Sequence, residues 1–267
     1  MNILEEIFGV AKPIIGMVHL KPLHGSPRFR ERAYDLFETA LKDAEALKEG
    51  GVDGVQVENM GDSPFLKPGE IGHEVVALVA SVAREVRRAT GLPTGVFVLA
   101  NGVEESIAAA KACGARWVRA NMWAYAYIAD EGFVEAAAPR AERLKGIDMS
   151  VSVFADVLVK HGSHLITSDI PLATQVSRLE ELGADAIIAS GERTGAETPL
   201  ERLQRVKSAA SRPVLVGSGI TPANVERLLT VADGAIVGTY FKVDGVLANP
   251  VDARRVREIM RIVERLR

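Results

Sequence analysis

The sequence predicts an α/β protein that folds as a single (β/α)₈ TIM barrel. Eight short apolar runs are separated by amphipathic stretches along the whole chain of 267 residues, which is the alternation of a parallel sheet covered by helices. The runs are rich in Val, Ile and Ala, as expected of strands that are buried on both faces. Two glycine-rich turns follow the last two runs, where barrels of this kind often bind phosphate.

The predicted elements follow one another without a linker or a charge run, so we expect one domain over residues 1–267. The strands are Pro13–Leu20, Asp53–Asn59, Pro93–Asn101, Arg116–Met122, Met149–Val157, Ala184–Gly191, Arg212–Gly219 and Asp233–Thr239. The helices are Tyr34–Glu49, Glu70–Thr90, Gly102–Cys113, Phe133–Lys145, Pro171–Leu182, Pro199–Ala210, Pro222–Val231 and Pro250–Leu266. Glycines such as Gly91 and Gly114 predict helix ends. Thr198-Pro199 and Thr221-Pro222 predict capped helix starts.

Composition excludes several classes of function. The formal net charge is −3 and the isoelectric point is about 6.0, so neither a nucleic-acid polymer nor an anionic membrane is expected as a partner. The longest apolar stretch, Val75–Ala83, is too short to cross a bilayer. The N-terminus lacks the pattern of a signal peptide. We therefore expect a cytoplasmic protein without membrane insertion, and the single Cys113 excludes an intrachain disulfide.

The long connections and the histidines lie at one end of the predicted barrel. Four connections that follow strands are long, namely Lys21–Arg32, Met60–Gly69, Trp123–Gly132 and Leu158–Ile170. The five histidines lie in or next to these connections, at His19, His24, His73, His161 and His164. Barrel enzymes keep their sites at the C-terminal ends of the strands. This face is therefore the predicted working face.

Polar residues close several of the apolar runs and are candidates for chemistry. Because inward positions alternate along a barrel strand, the last inward residue faces the site. Glu58, Asp156 and His19 are the candidate catalytic acid–base groups. Strand-end hydrogen bonding, or a core ion pair with Arg119, is the alternative role for the two carboxylates. The candidate substrate-binding residues are Asn101, Arg119, Asn121, Ser190 and Arg193; for Arg193 a solvated surface turn is the alternative.

The two glycine turns predict a phosphate site. Glycine lets backbone N–H groups approach an anion closely, and a following helix N-terminus adds partial positive charge. The candidate phosphate-binding residues are Gly217, Ser218, Gly219, Gly238 and Thr239. Of the two lysines that follow strands, Lys242 suits pairing with phosphate better than Lys160. No lysine lies inside a predicted strand, so imine chemistry is not favoured.

No motif implies a cofactor. The sequence has no GxGxxG after the first strand and no GxSxG elbow, so nicotinamide and hydrolase-triad chemistry lack support. His19, Glu58 and Asp156 could converge, which leaves a divalent metal open. No local spacing of ligands demands one.

Several segments resemble the BtpA/SgcQ family over essentially the whole chain. They are residues 13–27 (PIIGMVHLKPLHGSP), residues 53–59 (DGVQVEN), Asn101-Gly102, Arg119-Ala120-Asn121, Ser168-Asp169 and Gly217-Ser218-Gly219. The resemblance implies a barrel akin to the ribulose-phosphate-binding group, with its phosphate site at the five glycine-turn residues. The family's name comes from a role in photosystem I biogenesis in cyanobacteria, and members also resemble proteins of sugar operons.

Two hypotheses of function follow. The first is an enzyme that acts on a small phosphorylated metabolite, a sugar phosphate or a nucleotide, by isomerisation, epimerisation, lyase chemistry or cleavage of a glycosyl bond. The second is a non-enzymatic assembly or stability factor for a membrane protein complex, which predicts a large apolar patch on outer helices and no converging polar groups in the barrel mouth. Barrels often self-associate, so a homo-oligomer is expected in either case.

Overall fold

Eight parallel strands close into a barrel in this computed structural model, which describes residues 2–30, 33–146 and 151–267. The strands are β1 (Ile14–His19), β2 (Gly54–Glu58), β3 (Thr94–Phe97), β4 (Trp117–Ala120), β5 (Ala126–Ala129), β6 (Gly132–Glu135), β7 (Ser152–Val157), β8 (Ala186–Ser190), β9 (Val214–Gly217) and β10 (Gly234–Val237). The ring runs β1-β10-β9-β8-β7-β4-β3-β2, and β5 pairs with β6 outside it. The predicted TIM barrel is therefore confirmed.

Helices alternate with the barrel strands and cover their outer faces, except for the first helix, which precedes β1. They are α1 (Ile3–Phe8), α2 (Ala33–Gly50), α3 (His73–Thr90), α4 (Val103–Cys113), α5 (Ala138–Lys145), α6 (Leu172–Glu181), α7 (Leu200–Ala209), α8 (Val225–Leu229) and α9 (Ala253–Val263). Gly91 and Gly114 end α3 and α4 in the left-handed conformation, as predicted. Residues 31–32 of the first predicted long connection and residues 149–150 of the fifth predicted strand lie outside the described residues.

The alternation along each strand divides the core into two apolar layers. Ile14 and Val18 of β1 face outward into the layer between barrel and helices. Ile15 and Met17 face inward and pack with Trp117, Phe154, Ile188, Leu215 and Ile236 inside the barrel. Because a strand has a period of two residues, the next inward position on β1 is His19. The inward row of β1 thus begins apolar and ends in a polar group at the C-terminal mouth.

A short helix that the sequence analysis missed closes the other end of the barrel. Leu4 and Ile7 of α1 are buried in the same cluster as the barrel interior. The Asn2 side chain accepts hydrogen bonds from two N–H groups of the first turn, and Glu5 completes a capping box. The signal Asn-x-x-Glu was present in the sequence. The helix was missed because six residues are too few to show a helical period.

The region after β4 corrects the predicted loop Trp123–Gly132 and the predicted helix Phe133–Lys145. Strands β5 and β6 form an antiparallel hairpin there, and α5 begins only at Ala138. Gly132, the first residue of β6 after the turn, has φ 96°, a backbone conformation that favours glycine. Tyr127 and Val134 are buried while Ile128 and Phe133 are exposed. This alternation is typical of strands with one covered face, and the short run was read as helical instead.

The two predicted capped helix starts, Thr198-Pro199 and Thr221-Pro222, were also wrong. The Thr198 hydroxyl does not cap α7 but donates to the Gly217 carbonyl at 2.8 Å, and the helix begins at Leu200. Helix α8 begins at Val225 rather than Pro222. Before it, the Asn224 side chain accepts from the Thr221 N–H at 2.8 Å. In both places a side chain ties down the end of β9 or the turn after it, so tertiary contacts override the local capping pattern.

A buried ion pair joins α2 to the segment after β10. The Lys242 ammonium group donates to one carboxylate oxygen of Asp43, and the Val251 N–H donates to the other at 2.7 Å. Both charged side chains are at most 5% exposed. Lys242 therefore serves the packing of the last helix against the first long one, and it does not reach the mouth as the sequence analysis expected.

Replacing Asp43 by alanine would leave the Lys242 charge buried and unpaired. We expect the free energy of unfolding to fall by about 3 kcal/mol or more, measured by urea denaturation. Asp43→Asn is a milder variant should the alanine variant not fold. The control Glu85→Ala removes the exposed partner of Arg88 and should change stability little. Equal stability of Asp43→Ala and wild type would contradict this account.

Candidate functional site at the C-terminal face

The C-terminal ends of the strands open into a cavity of about 470 Å³. Polar and glycine residues from β1, β2, β4, β9 and β10 or from the connections after them line it. Phe97, Val159 and Ile236 supply apolar wall. Small-molecule sites are concave and mostly apolar, with a few convergent polar groups. This arrangement therefore has the character of a small-molecule site.

A buried ion pair forms part of the polar floor. Arg119 Nε and Nη2 donate to the two carboxylate oxygens of Asp156 at 2.7 and 2.9 Å. The Ser190 hydroxyl donates to the same carboxylate at 3.2 Å. Arg119 lines the cavity and lies over the Phe97 ring, whereas Asp156 and Ser190 stand behind it. The alternative of a core ion pair is thus the arrangement that the structure contains, and Asp156 holds Arg119 in place.

Glu58 lines the cavity and has a buried carboxylate oxygen without a hydrogen-bond partner among the described residues. The residue is 5% exposed, and its Oε2 atom makes no hydrogen bond within the described chain. Burial raises the pKa of this carboxyl group, while the positive charges of Arg119 and Lys160 oppose the rise. A buried carboxyl group with a free oxygen and a raised pKa is able to exchange a proton with a bound molecule.

His19 stands at the end of β1 beside the second glycine turn. Removal from water, together with the positive charges of Lys242, Lys160 and Arg119, lowers its pKa to about 3. The imidazole is therefore neutral at physiological pH and offers one N–H and one lone pair. Its Nδ1 atom has no hydrogen-bond partner in the described chain. A Cβ atom at Gly238 would lie 2.9 Å from the ring, so glycine gives the histidine its space.

Both glycine turns line the same cavity. Gly217, Ser218, Gly219, Gly238 and Thr239 all contribute to its wall. Ser218 and Gly219 have φ values of 82° and 65°, and a side chain at Gly219 would collide with the Ala196–Glu197 backbone. Consecutive residues in such conformations turn their N–H groups toward one side. In the described chain, the N–H groups of Ser218, Gly219, Gly238 and Thr239 donate to no other group.

Lys160 is a cavity residue that the sequence analysis undervalued. Its ammonium group donates to the Ser218 hydroxyl at 3.0 Å. Burial and then the charge of Arg119 lower its pKa to about 8, against the opposing effect of Asp156 and Glu58. The signal in the sequence was its position directly after the apolar run that contains β7. Lys242 follows a strand in the same way, so sequence position could not separate the two lysines.

Other predicted site residues lie in different surroundings. Asn121 lines the cavity, as does Tyr127, which was not predicted. Asn101 is buried outside the cavity wall; its amide accepts from the Met122 N–H at 2.8 Å and donates to two carbonyl groups. Arg193 is exposed and is not part of the wall. We therefore keep Asn121 and leave Asn101, Ser190 and Arg193 out of the substrate-binding set.

Arg255 is a second cation at the rim that no sequence signal marked. It extends from the first turn of α9, lies 4.1 Å from the Tyr240 ring centroid and donates to the Tyr240 carbonyl at 2.6 Å. Arg255 and Tyr240 both line the cavity next to Thr239. Nothing local in the sequence places a helical arginine there, because the position of α9 next to the mouth depends on the pairing of β10 with β1.

No three His, Cys, Asp or Glu side chains within residues 2–30, 33–146 and 151–267 are placed to hold a metal ion together. Asp156 is turned to Arg119 and lies behind the cavity wall. The grouping of His19, Glu58 and Asp156 that left a metal open is therefore not formed by the described residues. Among them there is also no helix with the length and hydropathy needed to traverse a bilayer.

The architecture and the cavity define a TIM barrel with a polar site at the mouth. Solved structures share this fold at low sequence identity. N-(5′-phosphoribosyl)anthranilate isomerase from Pyrococcus furiosus is 17% identical with a TM-score of 0.59, over 95% of this chain and 99% of that one. Mycobacterium tuberculosis tryptophan synthase is 17% identical with a TM-score of 0.63, over 98% of each chain.

The family is settled by sequence. Residues 10–265 match the model of the BtpA family, and the chain belongs to that family. An uncharacterized protein of Archaeoglobus fulgidus is 41% identical over 251 residues, 94% of this chain and 98% of the relative. Photosystem I biogenesis protein BtpA of Synechocystis is 36% identical over 256 residues, 95% of this chain and 88% of the relative. The resemblance seen in the sequence is confirmed.

The lowered pKa of His19 predicts a pH dependence of stability. The unfolded chain protonates this imidazole below about pH 6.5, whereas the folded chain resists protonation down to about pH 3. The contribution of His19 to stability is therefore complete above pH 6.5 and is lost as the pH falls toward 3. By NMR, the ring signals of His19 should not titrate between pH 8 and 5.

The variant His19→Asn removes this titrating group. As the pH is lowered from 6.5 to 4, the free energy of unfolding of the wild type should fall relative to that of the variant. A His19 signal that titrates near pH 6.5 would contradict the buried, neutral state.

Proposed function

We propose that this protein is an enzyme that acts on a small phosphorylated metabolite, with the phosphate in the two glycine turns and the reacting end at Glu58 and His19. One observation carries the proposal. The cavity is lined by both turns, whose N–H groups have no partner in the described chain, and also by Glu58 and His19, each of which has a buried polar atom without a partner there. A binding group and a reactive group thus face one space of small-molecule size.

The chemistry of the turns favours a phosphate group. Four N–H donors without partners in the described chain belong to residues that follow β9 and β10 and line one cavity, and a set of backbone N–H groups of this kind suits a tetrahedral oxyanion. Lys160 and Arg255 bring positive charge to the same region. The position after the last two barrel strands is the one that phosphate occupies in many TIM barrels.

The adjoining wall, at the ends of β1 and β2, suits proton transfer. Because burial raises the pKa of Glu58, its ionised form is a stronger base than an exposed glutamate. Its protonated form can donate a proton at a higher pH than an exposed glutamic acid can. Neutral His19 can donate or accept one hydrogen bond at the reacting atoms. Arg119 and Asn121 line the same cavity and would orient polar groups of the substrate. Isomerisation, epimerisation, lyase chemistry and cleavage of a glycosyl bond are all compatible with this set.

Two structural neighbours have names that refer to phosphorylated compounds, the phosphoribosylanthranilate isomerase and a thiamine phosphate pyrophosphorylase from Pyrococcus furiosus. At 17% identity each likeness concerns the fold alone. We therefore infer phosphate binding from the cavity itself, and the neighbours are consistent with it.

The alternative, an assembly or stability factor for a membrane protein complex, rests on the name of the Synechocystis relative. It called for an apolar patch on outer helices and a mouth without converging polar groups. The large exposed apolar side chains of the described residues lie mostly on the hairpin and on connections, at Leu66, Ile128, Phe133, Leu165, Ile166 and Val246, with Leu144 alone on an α-helix. Both observations favour the enzyme.

Inorganic phosphate should raise the melting temperature of the protein in a concentration-dependent way, because it binds the folded state only. Gly238→Val would push a side chain into the anion site and against His19, and should abolish the shift. Gly91→Ala is the control: its left-handed φ of 70° makes the variant less stable, but it lies at the opposite end of the barrel and should retain the shift. No shift in the wild type would argue strongly against the proposed phosphate site.

Glu58→Gln should keep the phosphate-induced shift and lose turnover by about 100-fold or more. Turnover is measured by NMR on a library of phosphorylated sugars and nucleotides. The matched control Glu85→Gln, at an exposed helical position, should be as active as the wild type. If Glu58→Gln instead left both the activity and the cellular phenotype unchanged, the alternative function would be favoured.

A further inference from the structure

We propose that Lys160 is a nucleophile that forms an imine with the carbonyl group of the phosphorylated substrate, which makes that substrate an aldehyde or ketone phosphate. This inference depends on the proposed function and names the class of its substrate. The sequence alone disfavoured it, because no lysine lies inside a predicted strand.

The position of Lys160 carries the inference. It lies three residues beyond β7, lines the cavity, and is hydrogen-bonded to Ser218 of the first glycine turn at 3.0 Å. Its amine is therefore hydrogen-bonded to a residue of the proposed phosphate site. It is also the only lysine of the cavity wall within the described chain. The other cations there, Arg119 and Arg255, are guanidinium groups that stay protonated and cannot attack a carbonyl carbon.

The surroundings of Lys160 keep its amine available. Within the described residues it has no carboxylate within 4.0 Å. Burial and the nearby Arg119 lower its pKa to about 8, so roughly one tenth of the amine is neutral at pH 7, against roughly one in 2,500 for a lysine in water. A desolvated lysine beside another cation is a known means of activating this nucleophile.

The cavity also contains the proton carrier that the reaction needs. The neutral amine attacks the carbonyl carbon, a C–N bond forms, and one amine proton passes to the former carbonyl oxygen. Glu58 then gives a proton to the resulting hydroxyl group, water leaves, and a protonated imine and the Glu58 carboxylate remain. No electrons are exchanged with another reagent. The protonated imine withdraws electrons from the adjacent carbon, which favours isomerase or lyase chemistry over cleavage of a glycosyl bond.

Reductive trapping tests this assignment. The protein is incubated with D-glyceraldehyde 3-phosphate and sodium borohydride, and the modified lysine is located by mass spectrometry of peptides. We expect one dominant adduct at Lys160, at least 10-fold weaker with unphosphorylated glyceraldehyde and suppressed by inorganic phosphate. Labelling should rise with pH with a midpoint near 8. Lys160→Arg keeps the charge and should abolish the adduct; the control Lys67→Arg, on the same face but outside the cavity wall, should not.

The outcomes separate this inference from the proposed function. Stabilisation by phosphate without labelling of Lys160 would overturn the imine and leave the phosphate enzyme standing, with Lys160 as a simple charge partner. Equal labelling of Lys160 by glyceraldehyde 3-phosphate and by unphosphorylated glyceraldehyde would also overturn the imine proposal. If phosphate did not stabilise the protein and Lys160 were not labelled, both proposals would be overturned. The Lys160→Arg variant must still be shifted by phosphate, which shows that it is folded.

Discussion

The bidentate pair between Arg119 and Asp156 is the interaction on which the mouth of the barrel depends. A lone guanidinium group inside a barrel would be very costly, and the facing carboxylate offsets that cost while fixing the plane of the group. Once fixed, the positive charge of Arg119 acts on its neighbours: it contributes to the lowered pKa of His19 and Lys160 and opposes the rise at Glu58. One buried pair thus influences the protonation of three cavity residues.

Much of this arrangement could be predicted because the strand period is so strict. Alternate residues face inward, so an apolar run that ends in a polar residue delivers that residue to the mouth. His19, Glu58 and Arg119 arrived there in this way, and the glycine turns arrived together because β9 and β10 are neighbours in the ring. For Asp156 the same reasoning left two roles open, and only the position of the arginine side chain decided between them.

What could not be predicted depends on contacts between distant parts of the chain. Lys160 and Lys242 occupy similar places after strands, but Asp43, 199 residues away, takes the second one into the core. The hairpin β5–β6 was missed because its alternation covers only a few residues on each side of a turn. Thr198 looks like a helix cap in isolation, whereas its hydroxyl is needed at the end of β9. In each case a tertiary partner wins over the local pattern.

The hairpin has a consequence for how such a protein diversifies. Its two strands are paired to each other and not to the strands of the barrel. Tyr127 of the hairpin lines the cavity, while Ile128 and Phe133 face solvent. Lengthening, shortening or exchanging this unit would reshape one wall of the mouth without breaking a single ladder of the ring. The barrel and the hairpin that shapes its ligand preference can therefore change independently. Grafting hairpins between relatives is a direct way to transfer ligand selectivity.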